Sequence, residues 1–146
     1  DLLTKMLQFN EIKNVKAIPK AVWLDNIKLP FFHNDNRTMY SLHMAVDDKS
    51  SPPEEVETIT LDKLFEDEKI EHVDLMKLDV EGSEVEIIAS EGFAKVASKV
   101  DTVIVEQHAW SGRHPNQLND ALKGNGFEIS TMPSSAEIII GRRKRG

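Results

Sequence analysis

Two short stretches gather the side chains that can move protons. One is Lys77-Leu78-Asp79-Val80-Glu81-Gly82-Ser83-Glu84; the other is Glu106-Gln107-His108, with Trp110 and His114 close behind. Each follows an apolar run of the kind that forms a buried strand, Val73 to Val80 and Thr102 to Val105, the latter expected to be covered on both faces. Side chains alternate along a strand, so Asp79 and Glu81 aim one way, and Glu106 and His108 share a side at the end of the second run. Ligands of open α/β sheets collect outside the carboxyl ends of the strands, where loops and helix N-termini converge. Acids, an imidazole and the flat wall of Trp110 in one crevice would suit acid–base work on a small organic molecule.

Plainer roles stand beside these. Asp79 at a strand end caps the next helix or pairs with Lys77. Glu81 and Glu84 complement a helix N-terminus, where negative charge is favourable by about 0.3–1 kcal/mol, and for Glu84 this plain role is the one expected. His33, His43 and His72 read as structural or surface histidines, and Trp110 serves packing as well as it serves substrate contact.

Composition removes other chemistries. With no cysteine, there is no disulfide scaffold, thiolate metal site or cysteine nucleophile. Eighteen Lys plus Arg against 25 Asp plus Glu leave a net charge of -7, which opposes a broad nucleic-acid surface. The basic end, Arg142 to Arg145, is expected to be a solvated tail. No apolar run approaches the roughly 20 residues of a membrane span, and the opening residues lack the pattern of a signal peptide. The chain is therefore expected to be soluble and cytoplasmic.

The elements that must carry the two stretches follow from periodicity. Leu2, Leu3, Met6 and Leu7 recur at helical spacing, and Val15 to Trp23 reads as a strand despite Pro19. From Asp25 to Glu57, brief apolar runs between polar turns suggest a meandering β insertion. Thr60 is an expected N-cap for a helix to about Lys69, and Ser83 for a second helix closed by Gly92. Pro115 opens a helix stopped by Gly124-Asn125-Gly126, and Phe127 to Thr131 with Glu137 to Ile140 predicts a terminal hairpin. Strand, helix, strand, helix, hairpin is an α/β order, simplest as a mostly parallel sheet with a C-terminal antiparallel hairpin. One domain is expected, divided as 1–24 (helix end and strand), 25–57 (insertion), 58–141 (the core bearing the motifs) and 142–146 (basic tail).

Thr58-Ile59-Thr60-Leu61-Asp62-Lys63-Leu64 with Val73 through Glu84 closely resembles the long "TLDDLL … IDLLKIDVEGAE" signature of FkbM-type methyltransferases. Val103 to His108 resembles that family's "LLVEVH" strand, and Asn14 to Val22 its third strand. The resemblance covers most of the chain, weakly between Trp23 and Val56. It implies a Rossmann-like sheet, S-adenosylmethionine as cofactor, and methyl transfer to a hydroxyl oxygen of a small molecule or glycan. Carried over by position, Asp79 and Val80 lie beside the methyl donor. Asp79, Glu81 and His108 are the catalytic candidates, and Glu106, Trp110 and His114 line the acceptor. Among them His108 is the expected base, since an unperturbed imidazole titrates near about 6.5.

The sequence departs from the family upstream. Such enzymes hold the methionine part of the cofactor in a glycine-rich loop after the first strand and the ribose on an acid ending the second. The first glycine here is Gly82. Strands one and two are thus expected to be missing, leaving the sheet with open edges that a partner copy could cover. Two other functions fit the same residues. One is a noncatalytic Rossmann-like module that associates through its open edge. The other is a divalent metal site built from Asp79, Glu81, Glu106, His108 and His114.

Overall fold

The computed structural model describes residues 2–33, 40–41, 53–108, 115–132 and 135–144. Helix α1 (Leu2–Phe9) is followed by β1 (Ala21–Val22), β2 (Lys28–His33), β3 (Tyr40–Ser41) and β4 (Glu54–Ile59). These strands form a sheet in the order β1-β4-β2-β3. Only β1 and β4 pair in parallel; the other neighbours are antiparallel. The strand expected over Val15 to Trp23 shrinks to two residues. Pro19 has no N–H to give a ladder, and regular pairing starts only beyond it.

Helix α2 (Leu61–Asp67) starts as its sequence dictates: Thr60 is extended and its side chain accepts from the Lys63 N–H. Then come β5 (Val73–Leu78), α3 (Glu84–Ile88), α4 (Glu91–Val96), β6 (Val100–Glu106), α5 (Pro115–Gly124), β7 (Phe127–Met132) and β8 (Ser135–Arg143). The single helix expected to end at Gly92 is two. Ser90 adopts an extended conformation and its hydroxyl accepts from the Phe93 N–H at 3.1 Å, which starts a new helix with Gly92 inside its first turn.

The second sheet runs β5-β6-β8-β7. Here β5 and β6 are parallel, while β8 runs antiparallel to both β6 and β7. Both sheets are therefore mixed rather than mostly parallel, although the terminal hairpin is as expected. The reason is the return of the chain: β8 inserts between β6 and β7, so one strand contributes two antiparallel ladders.

One core lies between this sheet and its helices. Leu78, Val103, Val105 and Ile139 pack with Ile87, Ile88, Phe93, Leu118, Leu122 and Phe127. On β6, buried Val103 and Val105 alternate with half-buried Thr102, Ile104 and Glu106, so the strand is sealed on one face instead of two. Leu75 of β5, on the less covered face, is 54% exposed. The basic end is not simply a solvated tail, because β8 extends through Arg143. That guanidinium lies 4.6 Å from the centre of the Phe127 ring and donates to the carbonyls of Val100 and Ala97. No helix among the described residues is long and apolar enough to cross a membrane.

Candidate functional site

The parallel pair β5 and β6 ends in one polar cluster. Leu78 is buried, which fixes the end of β5, and the chain then turns through Asp79 and Val80 to Glu81 and Gly82, both with positive φ (51° and 99°). Glycine tolerates this region; a glutamate there is strained and must be held by its surroundings. The holding group is Glu84, whose Oε1 accepts from the N–H of Gly82 at 3.0 Å and of Val80 at 3.3 Å.

The same oxygen lies 2.7 Å from Nδ1 of His108, just beyond β6. The other ring nitrogen, Nε2, faces Glu81 Oε2 at 3.4 Å and Asp79 Oδ1 at 3.9 Å. One imidazole thus sits between a buried carboxylate and two partly exposed ones. Burial pulls the His108 pKa down, but the hydrogen bond to Glu84 and the charges of Glu84, Glu81 and Asp79 outweigh it. The net result is a pKa above the ordinary 6.5.

Lys77 closes the exposed side. Its ammonium reaches Asp79 Oδ2 at 2.6 Å and Glu106 Oε2 at 3.1 Å, and these hydrogen bonds raise its pKa. The pairing anticipated between Asp79 and Lys77 is present, alongside the approach of Asp79 to His108. Asp79, Glu106 and His108 bring ligand atoms within 4.8 Å of one another, close enough to suggest a cation site. Lys77 already bridges the two carboxylates of that trio, and supplies the positive charge they call for.

The sequence-predicted candidates Asp79, Glu81, Glu106 and His108 therefore converge, while Trp110 and His114 lie outside the described residues. Glu84 was expected only to complement a helix. It does occupy the first turn of α3, yet it is 2% exposed and its carboxylate points back to the turn and to His108. The available signal was the order Gly82-Ser83-Glu84, since a glycine turn exposes N–H groups that need an acceptor close by. Ser83 stands at the N-cap position without making the cap bond. His72 is a surface histidine near Asp74 and Asp101, as expected. His33 and His43 cannot be placed among the described side chains. A cavity of about 340 Å³ shares no residue with the cluster, and within its lining Lys20 pairs with Glu57 and Lys63 with Asp67.

The fold is α/β, and its titratable side chains gather beyond the carboxyl ends of a parallel strand pair, the place where ligands of open α/β sheets bind. The methyltransferase FkbM domain matches residues 11–129, well over half the chain, and the protein belongs to that family. It is also similar to the hexuronic acid methyltransferase AglP of Haloferax volcanii, with 32% identity over 91 residues. That match covers 61% of this chain and 36% of the relative, so the chain aligns with about a third of the relative's length. No solved structure matches the chain.

Proposed function

We propose that this chain builds the acceptor side of an S-adenosylmethionine-dependent O-methyltransferase, with His108 taking the proton from a hydroxyl group and Asp79 and Glu81 orienting the imidazole or the substrate. The carrying observation is the convergence of Nε2 with both carboxylates at 3.4 and 3.9 Å, on strand ends matched by a methyltransferase family. We assign residues 58–141 to the core that bears the motif, 1–24 to a helix end and the third strand, and 25–57 to an insertion that helps select the acceptor.

The residues present suit the acceptor better than the cofactor. S-adenosylmethionine supplies an electrophilic sulfonium methyl, and Asp79 and Val80 would lie beside it. However, no glycine precedes Gly82, and β5 stands at a sheet edge among the described residues, so these residues do not supply a glycine-rich cofactor loop. Calorimetric titration of the chain with S-adenosylhomocysteine should give weak binding or none. Tight binding would contradict this division.

A hexuronic acid, named as the substrate of the relative, offers two kinds of acceptor oxygen. A carboxylate needs no base, whereas a hydroxyl must lose a proton as its oxygen bonds to carbon. Around His108 stand Asp79, Glu81, Glu84 and Glu106 with one lysine, an environment that repels an anionic acceptor and accepts hydroxyl protons. We therefore assign the hydroxyl, on a glycan or other small molecule. Supplying labelled methyl donor and uronic-acid saccharides to the protein as isolated from its source should yield an alkali-stable ether. Alkali-labile ester would overturn the hydroxyl assignment. His108→Gln should lower transfer by about 10²- to 10⁴-fold, the usual contribution of a general base.

A noncatalytic role is the second reading, favoured by the β5 edge, whose backbone can template another strand. A clean monomer by light scattering would count against it.

A further inference from the structure

We propose that Glu84 is the positioning residue of this site, one carboxylate that fixes both the tautomer of His108 and the turn presenting Glu81. The inference rests on His108 being the proton acceptor and adds the group that makes it one. Glu84 Oε1 is 2.7 Å from Nδ1, whereas the nearest carboxylate oxygen to Nε2 is 3.4 Å away, so the shorter contact to a group that only accepts assigns the neutral ring's proton to Nδ1. Its lone pair then lies on Nε2, the nitrogen turned toward Asp79 and Glu81. With the opposite tautomer, Nδ1 would set a lone pair against a carboxylate oxygen, and Nε2 would have no capacity to take a proton.

The second effect runs through the backbone. Glu84 accepts from Val80 and Gly82, the residues flanking Glu81, which holds a φ of 51°. The bonds on either side of Glu81 stabilise that conformation and bring its carboxylate to 3.4 Å from Nε2. Because Glu84 is 2% exposed, it has little alternative solvation, and moving it would strand three donors at once. In the reaction, a substrate O–H bond breaks, the proton passes to Nε2, and Nδ1–H keeps its bond to Glu84 as the ring becomes cationic. The charges nearest the ring are those of Glu84, Glu81 and Asp79, each favouring the cation, with Glu106 and the opposing Lys77 ammonium, which is paired to Asp79 and Glu106, at the exposed side.

Nitrogen-detected NMR of His108 in the 146-residue chain tests the proposal without any turnover. The neutral ring should be the Nδ1–H tautomer, and a dominant Nε2–H form would overturn the proposal with no variant needed. In Glu84→Gln the amide oxygen still accepts from Val80 and Gly82, so the thermal midpoint should change little while the His108 titration midpoint falls. Glu84→Ala should lose the turn as well and unfold at lower temperature. An unchanged His108 midpoint and tautomer in Glu84→Gln would also overturn the proposal. In the protein active for methyl transfer, Glu84→Gln should lower kcat with little change in KM and move the acidic limb of the pH profile to lower pH. Full transfer by His108→Gln would instead remove the base assignment, and with it the catalytic meaning of the pair, while the NMR result tests the pairing separately.

Discussion

The helix-covered face of the second sheet and the amphipathic α1 are both rich in apolar residues, yet only one of them is packed. Ile87, Ile88, Phe93, Val103, Val105, Leu118 and Leu122 have no exposed surface, whereas α1 buries none of its eight residues and Phe9 is 88% exposed. Apolar periodicity predicts a face that needs covering, but burial requires a partner. The candidate site lies at the border of the packed region. Leu78 anchors the end of β5 in the core, while Lys77, Asp79 and Glu106 project on the side where Leu75 remains exposed. Stability and chemistry are thus supported from opposite sides of the same strands and can be perturbed separately.

The largest expected effect tests the packed side. Phe127 is buried, stacks on Phe93 with ring centroids 6.1 Å apart, and carries the Arg143 guanidinium on its other contacts. Phe127→Ala should cost about 3–5 kcal/mol of folding free energy in a denaturant titration, through lost burial and the cavity left behind. A loss below about 1 kcal/mol would mean that the core reorganises easily and that the contrast with α1 is overstated.

Thr58 lies on the first sheet, outside both regions, and its substitution should come next. Its hydroxyl is buried and contacts the carbonyls of Asp25 and Ile27 at 2.5 and 2.9 Å and the Ile27 N–H at 3.0 Å. Thr58→Val keeps the shape and deprives the Ile27 N–H and the Asp25 carbonyl of the hydroxyl, while the Ile27 carbonyl keeps the Thr58 N–H at 2.8 Å, so a loss of about 1–3 kcal/mol is expected. An unaffected denaturation midpoint would show that the Asp25 to Ile27 loop folds independently of β4.

Residues that act through local spacing were legible in the sequence; those that act through closure of the chain were not. The Thr60 cap, the β5 strand and the hairpin follow from patterns within a few residues, and Asp79, Glu81, Glu106 and His108 follow from the rule that polar residues after parallel strands gather at one end of the sheet. The insertion of β8 between β6 and β7 does not, because a two-residue period is identical for a parallel and an antiparallel neighbour. Nor does the one-sided cover of β6, since Ile104 is apolar whether or not a helix lies over it. Glu84 was missed for a similar reason. Its charge suits a helix start, and only the tertiary approach of β6 supplies the imidazole that gives it another partner.

A smaller effect should appear with pH. The folded-state pKa of His108 is raised above its ordinary 6.5, chiefly because Glu84, Glu81 and Asp79 outweigh burial. Its stabilising contribution is therefore full below about pH 6.5 and lost as pH rises through the folded-state value. Each unit of elevation corresponds to about 1.4 kcal/mol at most. The stability gap between the natural chain and His108→Gln should be wider at pH 6 than at pH 9. A gap that widens toward alkaline pH would have the wrong sign and would place the ring in a net cation-repelling environment.

The smallest effect belongs to α1 and sharpens the comparison most. If the core is complete without this helix, Phe9→Ser should shift the folding free energy of the chain by no more than about 0.5 kcal/mol, as for other exposed sites. The prediction is informative because Leu2, Leu3 and Met6 are exposed together with Phe9, at 74%, 54% and 53%, so compensation by a neighbour cannot conceal a lost contact. The same substitution in the protein as isolated from its source provides the contrast. A helix that remains unpacked there will leave stability unchanged again. A cost approaching 2 kcal/mol or more will show that α1 acquires a partner, and that its apolar face was patterned for a surface beyond the elements described.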